Sequence, residues 1–281
     1  MLALQALDLC KTYGQGRSDQ KTYALNNVSF ELSPGETLGI VGESGCGKST
    51  LAKALCKIIT VDSGTALLLG KDFSSFHGTK SREYFRHLQM VFQDPLDSFD
   101  PRMTLGKGIT EVARNFGMTS ANADKCMYGL LERVGLQAEY AYRYPHQVSG
   151  GECQRAAIAR ALMVKPQVLI CDEATSALDV SAQAAVLDLL RSLREETDMA
   201  MLFITHDLAV AQILCDRIAV MRAGCFVEQG TADEVINHPQ NEYTKMLLDS
   251  VLSVGDVAGS GCASVGGAKG APAVCGGKEE A

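Results

Sequence analysis

Residues 42–50 read Gly42-Glu43-Ser44-Gly45-Cys46-Gly47-Lys48-Ser49-Thr50, which fits the pattern G-x-x-x-x-G-K-[ST] between an apolar strand-like run and a helix-like one. The residue types have a common chemical use. Gly42, Gly45 and Gly47 let successive backbone N–H groups turn inward around phosphate oxygens, where a side chain would block the approach. Lys48 offers a point charge to β- and γ-phosphates, Ser49 a hydroxyl to Mg2+, and the helix that starts there its positive end. The loop therefore predicts a nucleoside triphosphate ligand. Farther on, the apolar run Val168-Leu169-Ile170-Cys171 ends in Asp172-Glu173. That is where a phosphate-loop enzyme needs one carboxylate to hold Mg2+ through water and a second to poise the attacking water, so Asp172 suits the metal and Glu173 the general base. An acidic pair closing a buried strand is otherwise a plain solvated turn, and it gains meaning from Lys48 and Ser49. Gln93, after Met90-Val91-Phe92, has an amide oxygen able to reach the metal and the water. His206, after Phe203-Ile204-Thr205, can hydrogen-bond a γ-phosphate. Ser149, Gly150 and Gly151 open a helix and present a hydroxyl and two amides as an anion site with no phosphate of its own.

Elements must bring these residues together. Strands are predicted at Ala3–Leu9 and Ala24–Leu32 around a Gly14-Gln15-Gly16 turn, at Leu38–Val41, Ala66–Leu69 and Leu88–Phe92, with a helix from Ser49 to Ile59. Residues 95–165 change character. Val112–Phe116, Asp124–Val134 and Gly151–Val164 have helical spacing, broken by Pro145 and stopped by Pro166. Alternation then resumes: strand Val168–Cys171, helix Ser181–Glu195, strand Met201–Ile204, helix Leu208–Leu214, and strands Ile218–Met221 and Cys225–Glu228, a βαβ series with a parallel core. Residues 251–281 hold eight glycines and predict a disordered tail. Its Cys262 and Cys275, without histidine neighbours, do not make a four-ligand metal site.

Composition narrows the function classes. The formal net charge of −7 disfavours nucleic acid as a partner. There is no apolar run of about 18 residues and no basic-then-apolar start, which predicts a chain that stays in the cytosol. The ten cysteines are scattered without disulfide-framework or C-x-x-C spacing and read as reduced. Cys46 is the exception to inert burial, because the positive loop around it predicts a favoured thiolate.

Taken in order, the phosphate loop Gly42–Thr50, the string Val91-Phe92-Gln93-Asp94-Pro95, the segment Val148-Ser149-Gly150-Gly151-Glu152-Cys153-Gln154-Arg155, the acidic strand end Asp172-Glu173, and Thr205-His206-Asp207 closely resemble the ATP-binding cassette family over about residues 1–250. The resemblance implies an α/β phosphate-loop NTPase core with a mostly parallel sheet, an N-terminal antiparallel β subdomain, and an inserted helical subdomain at about 95–165. It implies ATP and Mg2+ as cofactors. Ser49, Gln93 and Asp172 serve the metal, and Glu173, His206 and Gln93 serve catalysis. Ser149, Gly150, Gly151 and Glu152 form a signature that binds the γ-phosphate held by a second cassette, and Ser176, Ala177, Leu178 and Asp179 form the D-loop. Tyr13 matches the aromatic residue that stacks on adenine, with Tyr23 as runner-up. Glu152 stands where the family often has Gln, and its charge near the partner's ATP calls for an offsetting cation such as Arg155.

Several strings are similar to the peptide and nickel importer branch: Ser98-Phe99-Asp100-Pro101-Arg102-Met103, Arg143-Tyr144-Pro145-His146-Gln147, and His238-Pro239-Gln240-Asn241-Glu242-Tyr243-Thr244. That likeness implies a peripheral subunit at the cytoplasmic face of the cell membrane, coupling ATP hydrolysis to transport. Its partners would be a second cassette, with a heterodimer favoured over a homodimer, two transmembrane permease subunits and, indirectly, an extracytoplasmic substrate-binding protein. The cargo stays open between peptides, nickel and, as an alternative, another small solute, and the glycine-rich tail tilts it slightly toward nickel. The rivals are a soluble cassette ATPase, disfavoured by the lack of repeats and heptads, and an export subunit or a regulator without turnover.

Overall fold

The computed structural model describes residues 1–14, 21–76, 78 and 81–249; Gln15 and Gly16 of the predicted turn, and the tail 251–281 with Cys262 and Cys275, lie outside them. Strands β1 (Leu4–Tyr13) and β2 (Thr22–Leu32) pair antiparallel. β4 (Ser63–Leu68) and the short β5 (Lys71–Asp72) extend them into a sheet of order β2-β1-β4-β5. Between them β3 (Thr37–Val41) enters a second sheet and leads into α1 (Lys48–Leu55). After α2 (Ser81–His87) that second sheet gains β6 (Leu88–Val91), then β7 (Val168–Asp172), β8 (Ala200–Thr205), β9 (Arg217–Arg222) and β10 (Cys225–Thr231), in spatial order β10-β9-β3-β8-β7-β6. All its pairings are parallel except β10 on β9.

β3, β7 and β8 are buried at every position, as strands covered on both faces must be. Alternation along them feeds two cores. Leu202 and Ile204 join Leu38, Ile40, Val168 and Ile170 on the face carrying α1 and the antiparallel sheet. Met201 and Phe203 join Leu169 and Cys171 on the opposite face, which the helices after β6 cover, while Tyr84 of α2 packs on the α1 side. Between β6 and β7 the chain is helical: α3 (Leu105–Asn115), α4 (Ser120–Arg133), single turns at Ala138–Tyr142 and Pro145–Gln147, then α5 (Gly150–Leu162). Helices α6 (Val180–Glu196), α7 (Leu208–Leu214) and α8 (Ala232–Asn237) follow, and residues 242–249 are helical again.

Two boundaries differ from the sequence reading for local reasons. Helix α1 ends at Leu55 rather than Ile59, because Lys57 turns into the left-handed region at φ 56° and its ammonium is held by the Phe73 and Phe76 carbonyls. Helix α3 begins at Leu105, seven residues before the predicted Val112, since Gly106 and Gly108 lie inside it.

Candidate active site

Sheet register gathers the chemistry. Val41 pairs with Thr205, Asp172 with Ile204, and Val91 with Cys171, all in parallel strands. Gly42, His206, Glu173 and Phe92-Gln93 therefore follow at one edge, beyond the carboxyl ends of the strands where open α/β sheets bind ligands.

The loop after β3 is shaped for close approach. A Cβ on Gly42 would lie 2.2 Å from the Met221 carbonyl oxygen, and one on Gly47 would lie 2.2 Å from that of Ala24. Gly47 also adopts φ 116° as it enters α1, a conformation L side chains rarely take. Lys48 is only 4% exposed and donates from Nζ to the Gly42 and Glu43 carbonyls at 2.7 and 2.9 Å. Such a buried ammonium, with freedom to exchange carbonyl acceptors for phosphate oxygens, suits an anion receptor. Glu43, Ser44 and Gly45 are exposed at the loop tip, and Ser49 and Thr50 are half-buried on α1.

Ser49 donates from Oγ to Asp172 Oδ1 at 3.1 Å. Burial pushes the Asp172 carboxyl above its ordinary range, with the Ser49 hydrogen bond opposing that rise and the Glu173 charge adding to it. A hydroxyl and a carboxylate oxygen are hard donors, and a divalent cation beside them would offset the cost of the buried charge. The pair thus fits Mg2+ held jointly with substrate phosphates.

Glu173 sits in a left-handed turn at φ 47°, with its N–H bonded to the Ile204 carbonyl at 2.9 Å and its own carbonyl accepting from the Ser176 backbone N–H and hydroxyl. A non-glycine residue held in that region is a constraint the surroundings impose. It aims the carboxylate so that Oε1 lies 4.0 Å from Lys48 Nζ and 3.7 Å from His206 Nδ1. His206 is half exposed at the sheet edge. Asp207, next to it, caps α7 by accepting from Ala209 and Val210 N–H. Asp179 ends the D-loop by capping α6 through Ala182 N–H, with Ser176, Ala177 and Leu178 between it and Glu173.

Gln93 is exposed and, among the described residues, has no hydrogen bond to Ser49 or Asp172. It lines a cavity of about 550 Å³ with Pro95, Pro145, Val148, Gly150 and Leu178, so it meets the start of α5 and the D-loop instead. Ser149 caps α5 in a reciprocal box with Glu152: Oγ accepts from Glu152 N–H at 3.3 Å, and Oε2 accepts from Ser149 N–H at 2.8 Å. The Gly150 and Gly151 amides, in the first turn, have no intrahelical acceptor. The signature residues do not join the Lys48–Asp172–Glu173 cluster within this chain. Tyr13 and Tyr23 are both exposed. β2 passes the phosphate loop at Ala24, which places Tyr23, and across the register Thr12 and Tyr13, at the rim of that loop.

The expectation for Cys46 is corrected. Its side chain is buried, and burial pushes the thiol above 9.0, outweighing the opposing charge of Lys48. Arg155 does act on Glu152 in the expected direction, but among the influences that lower the Glu152 carboxyl its charge is the least and the hydrogen bond from the Tyr140 hydroxyl the largest. The sequence reading also passes over Tyr243. It is 4% exposed, accepts from the Glu43 N–H at 3.4 Å through its hydroxyl, and carries the Arg222 guanidinium 4.6 Å from its ring centre. Its segment is fastened to β10 by Gln240 and Asn241 N–H donating to Glu228. The only signal for it was its string, similar to the importer branch, which carried no role.

A glycine-rich loop between a buried parallel strand and a helix, opposite a strand ending in two carboxylates, defines a phosphate-loop nucleotide-binding protein. The ABC transporter family model matches residues 25–176. Over 230 residues the chain is 46% identical to the oligopeptide transport ATP-binding protein OppF of Salmonella typhimurium, spanning 81% of this chain and 69% of that protein. It is 44% identical over 236 residues to the glutathione import ATP-binding protein GsiA of Salmonella typhimurium, spanning 84% of this chain and 38% of that one. A dimeric post-hydrolysis structure of the ATP-binding cassette MJ0796 bound to ADP and Pi is similar at a TM-score of 0.74 and 27% identity, covering 82% of this chain and 98% of that one. The chain belongs to the ABC transporter family.

Proposed function

We propose that this chain is the ATP-hydrolysing subunit of a peptide importer. The observation that carries the hydrolytic part is the Glu173 carboxylate, fixed by a strained turn between Lys48 and His206 at the edge where the phosphate loop opens. Lys48 and the loop amides hold the triphosphate, Glu173 Oε1 takes a proton from the attacking water, and His206 orients the γ-phosphate. Ser49 and Asp172 would hold Mg2+, which would supply charge neutralisation at the phosphate oxygens. Ser149, Gly150 and Gly151, apart from this cluster, serve the nucleotide of a facing cassette, which makes the working unit a pair. A heterodimer is the favoured pairing.

Among the described residues no helix is long and apolar enough to cross a membrane. Transport then requires permease subunits, with the cavity lined by Gln93, Pro95 and Pro145 as the docking region and the cytoplasmic face of the membrane as the location. Nucleotide occupancy biases the position of α3–α5, where Gln93 meets the start of α5, and so the permease. Oligopeptides and glutathione, named for the relatives, favour peptide as cargo, and the tilt toward nickel drawn from the tail gains no support from them. The test is uptake of a labelled tripeptide and of labelled Ni2+ by cells lacking this chain, with wild type or Glu173→Gln restored. Peptide uptake rescued by wild type alone supports the reading. Rescue of nickel alone replaces the cargo, and rescue of neither overturns the importer role.

A further inference from the structure

The signature of this chain contains an acid where an anion must bind. Glu152 is the third residue of α5, and the Gly150 and Gly151 amides beside it are the donors left open for a phosphate. A carboxylate swinging outward there would face the triphosphate of the opposite cassette. The structure shows both carboxylate oxygens engaged by groups of the same chain. Oε2 accepts from the Ser149 N–H at 2.8 Å, and Oε1 accepts from the Tyr140 hydroxyl. Tyr140 is itself held. It lies in the turn Ala138–Tyr142, with the Arg143 guanidinium 4.4 Å from its ring centre and Arg143 paired to Glu139 at 2.6 Å.

We infer that Tyr140 is a positioning residue for the signature: its hydroxyl turns the Glu152 carboxylate back into its own cassette, so that Ser149, Gly150 and Gly151 offer only donors to the phosphate of the facing one. The inference rests on the reading of paired cassettes given above. The bond is felt by both partners, since it holds the Glu152 carboxyl below the usual range and pushes the Tyr140 phenol up. Arg155, the cation nearest in sequence, affects Glu152 least among the influences that lower it, so local charge neutralisation does not replace the anchor. An exposed capping box alone holds a side chain loosely, because its worth is comparable to the rotamer entropy of a glutamate.

The test is a double-mutant cycle on the assembled transporter, reading the ATP concentration that half-saturates hydrolysis. Tyr140→Phe frees one carboxylate oxygen, and half-saturation is expected to rise about threefold to tenfold from repulsion across a partly screened distance. In the Glu152→Gln background the same substitution is expected to have no effect, because a neutral amide does not repel phosphate. The ratio of Tyr140→Phe to wild type is expected to fall toward one as salt rises from about 0.05 M to about 0.5 M, which a packing defect would not produce. An equal effect of Tyr140→Phe in both backgrounds, or a ratio indifferent to salt, overturns the inference. The parent reading is tested separately by Glu173→Gln with Tyr140 intact. If that form shows no ATP-dependent association of the two cassettes, the pairing itself fails, whatever Tyr140 does.

Discussion

Gly151→Ala would place a methyl group where Ala182 already stands. A Cβ built on Gly151 lies 2.8 Å from the Ala182 Cβ, about 0.7 Å inside the ~3.5 Å at which two carbons first sit comfortably. Neither atom can swing away, because each is the first carbon of its side chain in the opening turn of a helix, α5 and α6 respectively. Overpacking of this kind costs about 1–3 kcal/mol. The intrinsic preference of a helix for alanine over glycine offsets about 1 kcal/mol, which leaves a net loss of about 0–2 kcal/mol. For a chain of this size the melting temperature would fall by up to about 8 °C. Ala182→Gly removes the obstruction. The double variant should then recover most of the loss, with a coupling of about 1–3 kcal/mol between the sites, the overpacking itself. Urea unfolding of the four nucleotide-free proteins measures it through the midpoints, provided the slopes agree. Simple additivity of the two substitutions would refute the packing argument and return Gly151 to a role in phosphate approach alone.

Gly47→Ala should weaken ATP binding more than tenfold in a fluorescent-nucleotide titration, because the new carbon meets the Ala24 carbonyl oxygen at 2.2 Å and φ is 116°, so the loop must rebuild. Asp62 accepts from the Thr12 hydroxyl, from Lys11 and from the Thr12 N–H, which pulls its carboxyl down to about 2. A depressed carboxyl stabilises above its unfolded value, so the stability gap between wild type and Asp62→Asn should be full at neutral pH, shrink as pH falls below 3.8, and lose its ionisation-linked part below about 2. Denaturant midpoints across that window check it, and a gap that widens toward acid would contradict the assignment. Cys46, with its thiol raised above 9.0 by burial, should react slowly with a maleimide at pH 7, and its rate should climb about tenfold per pH unit up to pH 9. Rapid labelling at neutrality, followed by mass spectrometry, would show a thiolate after all.

What could be read from the sequence depended on whether a residue's role was local. Helix α7 came out as Leu208–Leu214 because Asp207 caps it and the apolar repeat is clean. Asp172, Glu173 and His206 could be foreseen together, since each stands at or next to the end of a buried apolar strand and parallel strands end on one side, and Lys48 joined them through the loop motif that follows β3. Helix α3 was read short because Gly106 and Gly108 look like breakers. In the fold they are close approaches, where a Cβ would lie 2.8 Å from the Ala141 carbonyl and 2.7 Å from the Phe99 ring. Helix α2 went unread because one buried residue, Tyr84, in a seven-residue polar stretch gives no period. β10 runs on to Thr231, past the predicted Glu228, because Gly230 still pairs with Ile218. The second glycine after Ser149 was attributed to phosphate approach, yet it has a packing reason in Ala182 that no spacing rule reveals. The Tyr140–Glu152 and Glu43–Tyr243 contacts join residues whose meeting is set by tertiary structure alone.

The last of these contacts redraws the working border of the molecule. The sheet ends at Thr231, and a fragment designed by looking at strands alone would be cut there. Such a cut discards the tyrosine whose hydroxyl backs the loop at Glu43, along with the Asn241 and Gln240 amides that tie its segment to Glu228. A fragment carried through Asp249 keeps all of them. Met246, three residues past Tyr243 and 68% exposed, then becomes a natural place to hang a fluorescent label that listens to the nucleotide loop from outside.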